Sequence, residues 1–193
     1  MPISIRHIRL LALALVCACL ALPASAPAQS GGASETGGSE FVPPPPPPKK
    51  AKIVNGRAIA PRGAPRKVRR AINWANQIVE KPYRYGGGHH SFRSGQELDD
   101  GYDCSGAISH ALRGARLLKA PLNSSGFMSW GMRGPGRWIT VYAHSGHAYV
   151  VIAGLRFDTS MRDPDAPGPS TGPRWSKRLR VNDSFVARHP RNL

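Results

Sequence analysis

The first apolar stripe of the chain predicts a helix over residues 65–80, PRKVRRAINWANQIVE. Apolar side chains recur there at helical spacing and leave an arginine-rich face opposite them. Pro65 suits the first helical position, and Lys81-Pro82 ends the segment. The stripe consists of Val68, Ala71, Ile72, Ala75, Ile78 and Val79.

A second helix is predicted to begin at Cys104 or Ser105 and to run to about Leu118, although Gly114 weakens its end. A short helix is predicted over 124–130. The second helix is expected to bury one face, made of Ala107, Ile108, Ala111, Leu112 and Ala115.

After Gly136 the apolar pattern changes to that of strands. A tight turn at Gly154 joins two of them. The predicted strands cover 137–143, 147–153, 155–159 and 184–188. Because helices come first and antiparallel strands follow, the order predicts an α+β domain with N-terminal helices packed on a small antiparallel sheet.

The N-terminus has the pattern of a secretory signal peptide over residues 1–28. A basic start precedes the apolar run Leu10–Leu22, and Ala26-Pro27-Ala28 fits an A-x-A cleavage site. A retained membrane anchor is the alternative, but the run is shorter than the ~20 residues that span a bilayer. Lipidation of Cys19 is left open, as is cleavage after Ala28.

Residues 29–63 are predicted to form a disordered Gly/Ser/Pro-rich basic linker. They include the six-proline run Pro43–Pro48, which is stiff and extended. The folded domain is expected to cover 64–193, with the role of its tail, 161–193, left open.

The chain is strongly basic, with a net charge of +16, and the predicted cleavage lowers this to +14 by removing Arg6 and Arg9. Such a charge suits an anionic partner, such as nucleic acid, a membrane surface or an acidic cell wall. Export argues against nucleic acid, and a solvated basic surface without a partner is the alternative to a wall or membrane partner.

Cleavage would also leave Cys104 as the single cysteine of the mature chain. An unpaired cysteine in an exported protein suggests intermolecular pairing or a functional thiol, and a buried inert cysteine is the alternative. At a helix N-terminus, free N–H groups lower a thiol pKa from ~8.5 towards ~3.5–7.5. The same N–H groups can stabilise an oxyanion.

A thiolate nucleophile needs a base, and the base needs a group that orients it. His147 begins the central predicted strand, and Asp158 lies on the next one. Pairing about the Gly154 turn leaves the two within a couple of positions of being opposite. His144 is a reserve candidate, expected to sit beyond the strand edge.

Three motifs resemble the NlpC-type papain-like cell-wall cysteine peptidases. They are PYRYGGG at 82–88, YDCSG at 102–106, and HAYVVIAG at 147–154 followed by FDTS. The resemblance implies a papain-like fold with Cys104 as nucleophile, His147 as base and Asp158 as third polar residue, a position more often held by histidine in that family.

By the same resemblance, the hydroxyl of Tyr83 lies near the oxyanion site, while Asp103 and Ser105 contact substrate. The insertion at 89–100 departs from the family pattern. His89, at its start, is a candidate for substrate contact at a loop rim, and a plain solvated loop is the alternative. His110 is expected to be structural.

No cofactor or metal is expected. His89 and His90 are adjacent, so their side chains diverge, and the predicted mature chain has no second cysteine or H-E-x-x-H motif to complete a zinc site.

The expected function is that of a secreted or periplasmic, wall-associated monomeric endopeptidase acting on peptidoglycan stem peptides. An N-acetylmuramoyl-L-alanine amidase, an acyl or amide transferase on the same fold, and a non-catalytic basic wall-binding module are the alternatives.

Overall fold

The computed structural model describes residues 46–90, 97–160, 172–180 and 184–193. The chain divides into Met1–Pro43 and Pro44–Leu193, and all described residues lie in the second unit. The predicted signal peptide and the predicted linker before residue 46 lie outside the described residues. Within the described ranges, none of the helices has the length and hydropathy of a membrane span.

The first helix, α1, covers Arg66–Ala75 and is shorter than the predicted 65–80. Pro65 is its N-cap residue and not its first helical residue. The helix ends where Asn76 turns its amide towards other parts of the fold, accepting from the backbone N–H of Ala58 and from the indole N–H of Trp175. Beyond Asn76 the chain continues in tighter turns, in which the backbone N–H groups of Gln77 and Ile78 donate to carbonyls three residues back.

The second helix, α2, covers Cys104–Gly114, and its predicted start is confirmed. Its end comes earlier than the predicted Leu118, because Arg116 adopts a left-handed φ of 56°. Gly114 lies against α1 so closely that an added Cβ would come 2.0 Å from Trp74 Cγ. A one-turn helix, α3, covers Ser124–Phe127.

Residues 46–63 were predicted to belong to a linker, but the structure has a β-hairpin there. Its strands are β1, Lys52–Val54, and β2, Arg57–Ile59. Asn55 and Gly56 both have positive φ, as a two-residue turn between such strands requires. The N–H of Ala51 donates to the carbonyl of Ala153 at 2.8 Å, which joins the hairpin to the rest of the domain.

The remaining strands of the described ranges are β3 Met132–Arg133, β4 Ile139–His144, β5 His147–Ile152, β6 Leu155–Asp158, β7 Arg174–Ser176 and β8 Val186–His189. They form one antiparallel sheet, in the order β3-β8-β4-β5-β6-β7. The α+β class with a small antiparallel sheet is thus confirmed. The short strands β3 and β7 were not predicted, because two or three residues carry too little alternation to be recognised.

The core lies between the helices and the sheet. Its largest fully buried side chains include Trp175, Tyr149, Phe127 and Phe157. Trp175 on β7 packs on Phe157 of β6 with ring centroids 4.7 Å apart. Since α2 packs against β5, the first residue of the helix comes next to the first residue of that strand.

Candidate active site

Cys104 is the first residue of α2, and the residue before it caps the helix. Asp103 Oδ1 accepts from the backbone N–H of Gly106 at 2.7 Å, which satisfies one of the free donors of the first turn. The cysteine is partly exposed and is not disulfide-bonded. It lines an open cavity of about 460 Å³.

The thiol has several hydrogen-bonding neighbours. Ser124 Oγ lies 3.5 Å from the sulfur, and His147 and the backbone N–H of Ala148 also reach it. Burial raises the pKa of the Cys104 thiol, but the hydrogen bonds with His147, Ser124 and Ala148 outweigh it, so the pKa ends below its ordinary value. This environment favours the thiolate.

His147 lies between the sulfur and a carboxylate. Its Nε2 is 2.9 Å from Asp158 Oδ1, so Nδ1 is the nitrogen that remains for Cys104. Burial lowers the pKa of His147, but the hydrogen bonds with Asp158 and Cys104 raise it overall to about 9. A lowered thiol pKa beside a raised imidazole pKa describes a thiolate–imidazolium pair.

Asp158 is 5% exposed and is held by several donors. The backbone N–H of Ser160 donates to Oδ1 at 2.9 Å, and the Ser160 hydroxyl donates to Oδ2 at 3.0 Å. Two guanidinium groups, of Arg156 and Arg180, lie 3.5 and 3.4 Å from Oδ2. Burial raises the pKa of Asp158, yet the hydrogen bond to His147 and its charge lower it overall.

The strand register explains why His147 and Asp158 meet. Ile152 pairs with Leu155 and Val150 pairs with Phe157. Continuing that register puts Tyr149 opposite Asp158, and His147 on the same face as Tyr149, two residues away. Such diagonal neighbours lie within reach of an imidazole and a carboxylate.

The residues on either side of Cys104 form a closed polar network with His89. His89 Nε2 lies 2.9 Å from Asp103 Oδ1 and 3.2 Å from Ser105 Oγ, and the Ser105 hydroxyl donates to Asp103 Oδ1 at 3.1 Å. The backbone N–H of Gly86 donates to the other Asp103 oxygen at 3.1 Å. The network therefore ties the glycine-rich loop to the start of α2.

The same contacts set the charges of this network. The hydrogen bond to Asp103 raises the pKa of His89, although burial opposes it. Burial raises the pKa of Asp103, but His89 and the N–H of Gly106 lower it overall. Asp103 therefore favours protonation of His89, and the protonated imidazole forms an ion pair with that carboxylate beside Cys104.

Tyr83 lines the same cavity as Cys104 and is 42% exposed. It forms an isolated parallel bridge with Tyr102, which places it beside the residue preceding Asp103-Cys104. Burial and the neighbouring Cys104 and Asp103 raise the pKa of Tyr83, so its hydroxyl keeps its proton. Tyr85, at the rim of the cavity, is 90% exposed.

Two other histidines singled out from the sequence are His144 and His110. His144 was expected beyond the strand edge, but it is the last residue of β4 and pairs directly with His147. Its Nδ1 accepts from the N–H of Gly146 at 3.0 Å. His110 is buried, and its Nε2 lies 3.1 Å from Gln77 Oε1.

Within the described ranges, no group of three or more His, Cys, Asp or Glu side chains is placed to hold a metal ion. His90 Nε2 lies 3.5 Å from Asp99 Oδ1, away from the Cys104 cavity.

Sequence reasoning missed the groups that support the three central residues. Ser160 follows Asp158 by two positions, which is the spacing of an Asx turn and a signal that could have been used. Ser124 and Arg180 come from distant parts of the chain, and no local pattern points to them.

No protein-family model matches the chain, and no curated protein matches it. Solved structures do show similarity. A variant of RipA, a resuscitation promoting factor interacting protein, has 21% identity, a TM-score of 0.45, and coverage of 74% of this chain and 69% of its own.

The peptidoglycan hydrolase RipB of Mycobacterium tuberculosis has 24% identity and a TM-score of 0.45, over 67% of this chain and 71% of its own. The P60 domain of an M. avium subspecies paratuberculosis antigen has 18% identity and a TM-score of 0.43, over 63% and 93%. These neighbours are NlpC/P60 cell-wall peptidases, the family that the motifs resemble. At this level of similarity the activity of this chain has to be argued from its own site.

Proposed function

We propose that this protein is a cysteine endopeptidase that hydrolyses amide bonds in peptidoglycan stem peptides. The observation that carries the proposal is the position of His147, which bonds Asp158 through Nε2 and leaves Nδ1 for Cys104. A sulfur at a helix N-terminus, an imidazole on a strand and a carboxylate behind it have the roles of nucleophile, base and orienting group.

The reaction follows from that order. The Cys104 thiolate attacks the amide carbonyl and forms a carbon–sulfur bond, and the electron pair of the carbonyl moves to its oxygen. When the tetrahedral intermediate collapses, the imidazolium of His147 gives its proton to the departing amine. His147 then takes a proton from water, whose oxygen attacks the thioester carbonyl. The carbon–sulfur bond breaks, the carboxylic acid product leaves, and the thiolate–imidazolium pair is restored.

The oxyanion is held by the backbone N–H of Cys104 and the Tyr83 hydroxyl. The N–H belongs to the first turn of α2, where helix donors are free, and Tyr83 lines the same cavity. Asp103 and Ser105 line this cavity too, and Asp158 keeps Nδ1 of His147 directed at the sulfur by binding Nε2.

The substrate class rests on the sequence. The motifs around Tyr83, Cys104 and His147 resemble those of wall peptidases, for which the bond cut is the γ-D-glutamyl to diamino-acid link. A predicted signal peptide and a net charge of +14 after its removal fit an exported protein working in an anionic wall, as a monomer in the periplasm or outside the cell.

The test is digestion of purified peptidoglycan by residues 29–193, followed by mass spectrometry of the released fragments. New amine termini within the stem peptide are expected, and Cys104→Ala is the control that should release none. Fragments cut between sugar and peptide would instead indicate an amidase, and products carrying an added amine would indicate a transferase. Equal release by Cys104→Ala would overturn the proposal.

A further inference from the structure

The carboxylate of Asp158 has one oxygen towards His147 and one turned away from it. Oδ1 accepts from the backbone N–H of Ser160 and lies against His147 Nε2. Oδ2 accepts from the Ser160 hydroxyl at 3.0 Å and lies 3.4 Å from Arg180 Nη1. Because both oxygens belong to one rigid planar group, the contacts of Oδ2 also affect the direction in which Oδ1 points.

The residues that contact Oδ2 differ in their distance from Asp158 along the chain. Ser160 and Arg156 are each two positions from Asp158 on the same run of chain, so they move with its backbone. Arg180 is separated from Asp158 by 22 positions and belongs to the segment after β7. The strand pairing places the backbone of Asp158, and Arg180 adds a contact to its carboxylate from a separate segment of the chain.

Arg180 is itself held in place by two aromatic rings. Its guanidinium carbon lies 5.8 Å from the ring centroid of Tyr149 and 5.6 Å from that of Phe185. The Tyr149 hydroxyl also donates to the Arg180 carbonyl at 3.4 Å. Since cations over aromatic faces are attracted by the ring quadrupole, this guanidinium is directed and is not a freely moving surface group.

Phe185 also lies close to the rings of His144 and His147. Its ring centroid is 4.4 Å from that of His144 and 6.2 Å from that of His147. Phe185 and Arg180 therefore lie beside both members of the His147–Asp158 pair.

We propose that Arg180 is a positioning residue of this site, which holds Asp158 Oδ2 so that Oδ1 stays bonded to His147 Nε2. The rings of Phe185 and Tyr149 keep the guanidinium of Arg180 in place. The inference rests on the proposed function, because it assigns Arg180 to the Cys104–His147–Asp158 unit. Arg180, which no sequence motif connects with catalysis, thereby becomes part of the active site.

The test is the rate of Cys104 alkylation by iodoacetamide between pH 4 and 10, which needs no peptide substrate. In the wild type, we expect a lower step for thiolate formation and an upper step for deprotonation of His147. The titratable and charged groups around His147 are Asp158, Arg156 and Arg180, with the phenol of Tyr149 and the imidazole of His144 beside them. Those around Cys104 are His147, His89, Asp103 and Tyr83.

Arg180→Gln is expected to move the upper step to lower pH, because a misdirected Asp158 no longer stabilises the imidazolium. Loss of the positive charge of Arg180 alone would move the upper step to higher pH, because a nearby cation disfavours the imidazolium. The direction of the shift therefore distinguishes a positioning role from a purely electrostatic one. Wall hydrolysis is expected to fall by about tenfold, as for loss of one charge-assisted hydrogen bond. Lys177→Gln is the control, because it removes a charge from an exposed residue close to Arg180 in the chain. It should change neither the pH of the upper step nor the rate of wall hydrolysis.

Arg180→Lys is expected to shift the upper step in the same direction but by less, since it keeps the charge and loses the planar fork. If Arg180→Gln does not fold, the lysine variant decides the question. An unchanged or upward-moving upper step in the folded variant overturns the role of Arg180. A wild-type thiol that is alkylated in a single step at the ordinary thiol pKa of ~8.5, with no second step, overturns the proposed function instead.

Discussion

His147 Nε2 and Asp158 Oδ1 lie 2.9 Å apart although the two residues are not opposite each other in the sheet. The register of β5 and β6 puts them on a diagonal, two positions apart, and the imidazole spans the gap. This contact leaves the other ring nitrogen for Cys104, and the pH behaviour of the site follows from it.

Activity is expected to need the thiolate–imidazolium pair, which exists between the lowered pKa of Cys104 and the pKa of His147, about 9. Above pH 9 the imidazolium loses the proton that the departing amine requires. The plot of kcat/KM against pH should therefore fall on the alkaline side near pH 9. An alkaline limb near the ordinary histidine pKa of ~6.5 would show that the pair does not form.

Asp158→Asn is expected to lower kcat by about 10²-fold or more, because an amide in that place no longer stabilises the imidazolium or directs Nδ1 at the sulfur. The alkaline limb should also move to lower pH, since the hydrogen bond and charge that raise the pKa of His147 are lost. Steady-state kinetics over pH measure both effects. Asp100→Asn, an exposed carboxylate outside the Cys104 cavity, is the matched control.

Gly114→Ala is expected to destabilise the fold by ~1–3 kcal/mol, because the new methyl group would meet the Trp74 ring where α1 and α2 pack. Urea unfolding measures the change. In a Trp74→Ala background the clash is gone, so the same substitution should cost little or stabilise by ~1 kcal/mol through helix propensity. Equal costs in both backgrounds would show that the two helices are not in contact there.

His110 is expected to make stability depend on pH between about 4 and 6.5. Burial lowers its pKa from 6.5 to about 4, and the charge of nearby Arg113 acts in the same direction. The unfolded chain binds a proton in this window and the folded chain does not. The free energy of unfolding should therefore fall as pH falls from 6.5 towards 4, by up to ~1.4 kcal/mol per pH unit.

His110→Gln keeps a side-chain donor for Gln77 and has no such titration. Urea unfolding of both proteins at several pH values should give a smaller dependence on pH for the variant in this window. Parallel curves would mean that His110 is protonated equally in the folded and unfolded chains.

Several elements could be predicted because their patterns are local. The stripe through Val68 and Ile72, the start of α2 at Cys104 and the strands on either side of Gly154 all depend on neighbours a few positions away. The β1–β2 hairpin was missed although its turn, Asn55-Gly56, is a strong signal, because the surrounding basic residues were read as linker.

The sequence by itself determined which residues have reactive chemistry and on which kinds of element they lie, since helix and strand periodicity is a property of short runs of chain. Only the tertiary structure decided that α2 packs on β5, so that Cys104 meets His147, and that Ser124 and Arg180 join them. Those contacts link residues far apart in the chain, and their geometry is set by how the helices and the sheet pack together, which no local pattern encodes.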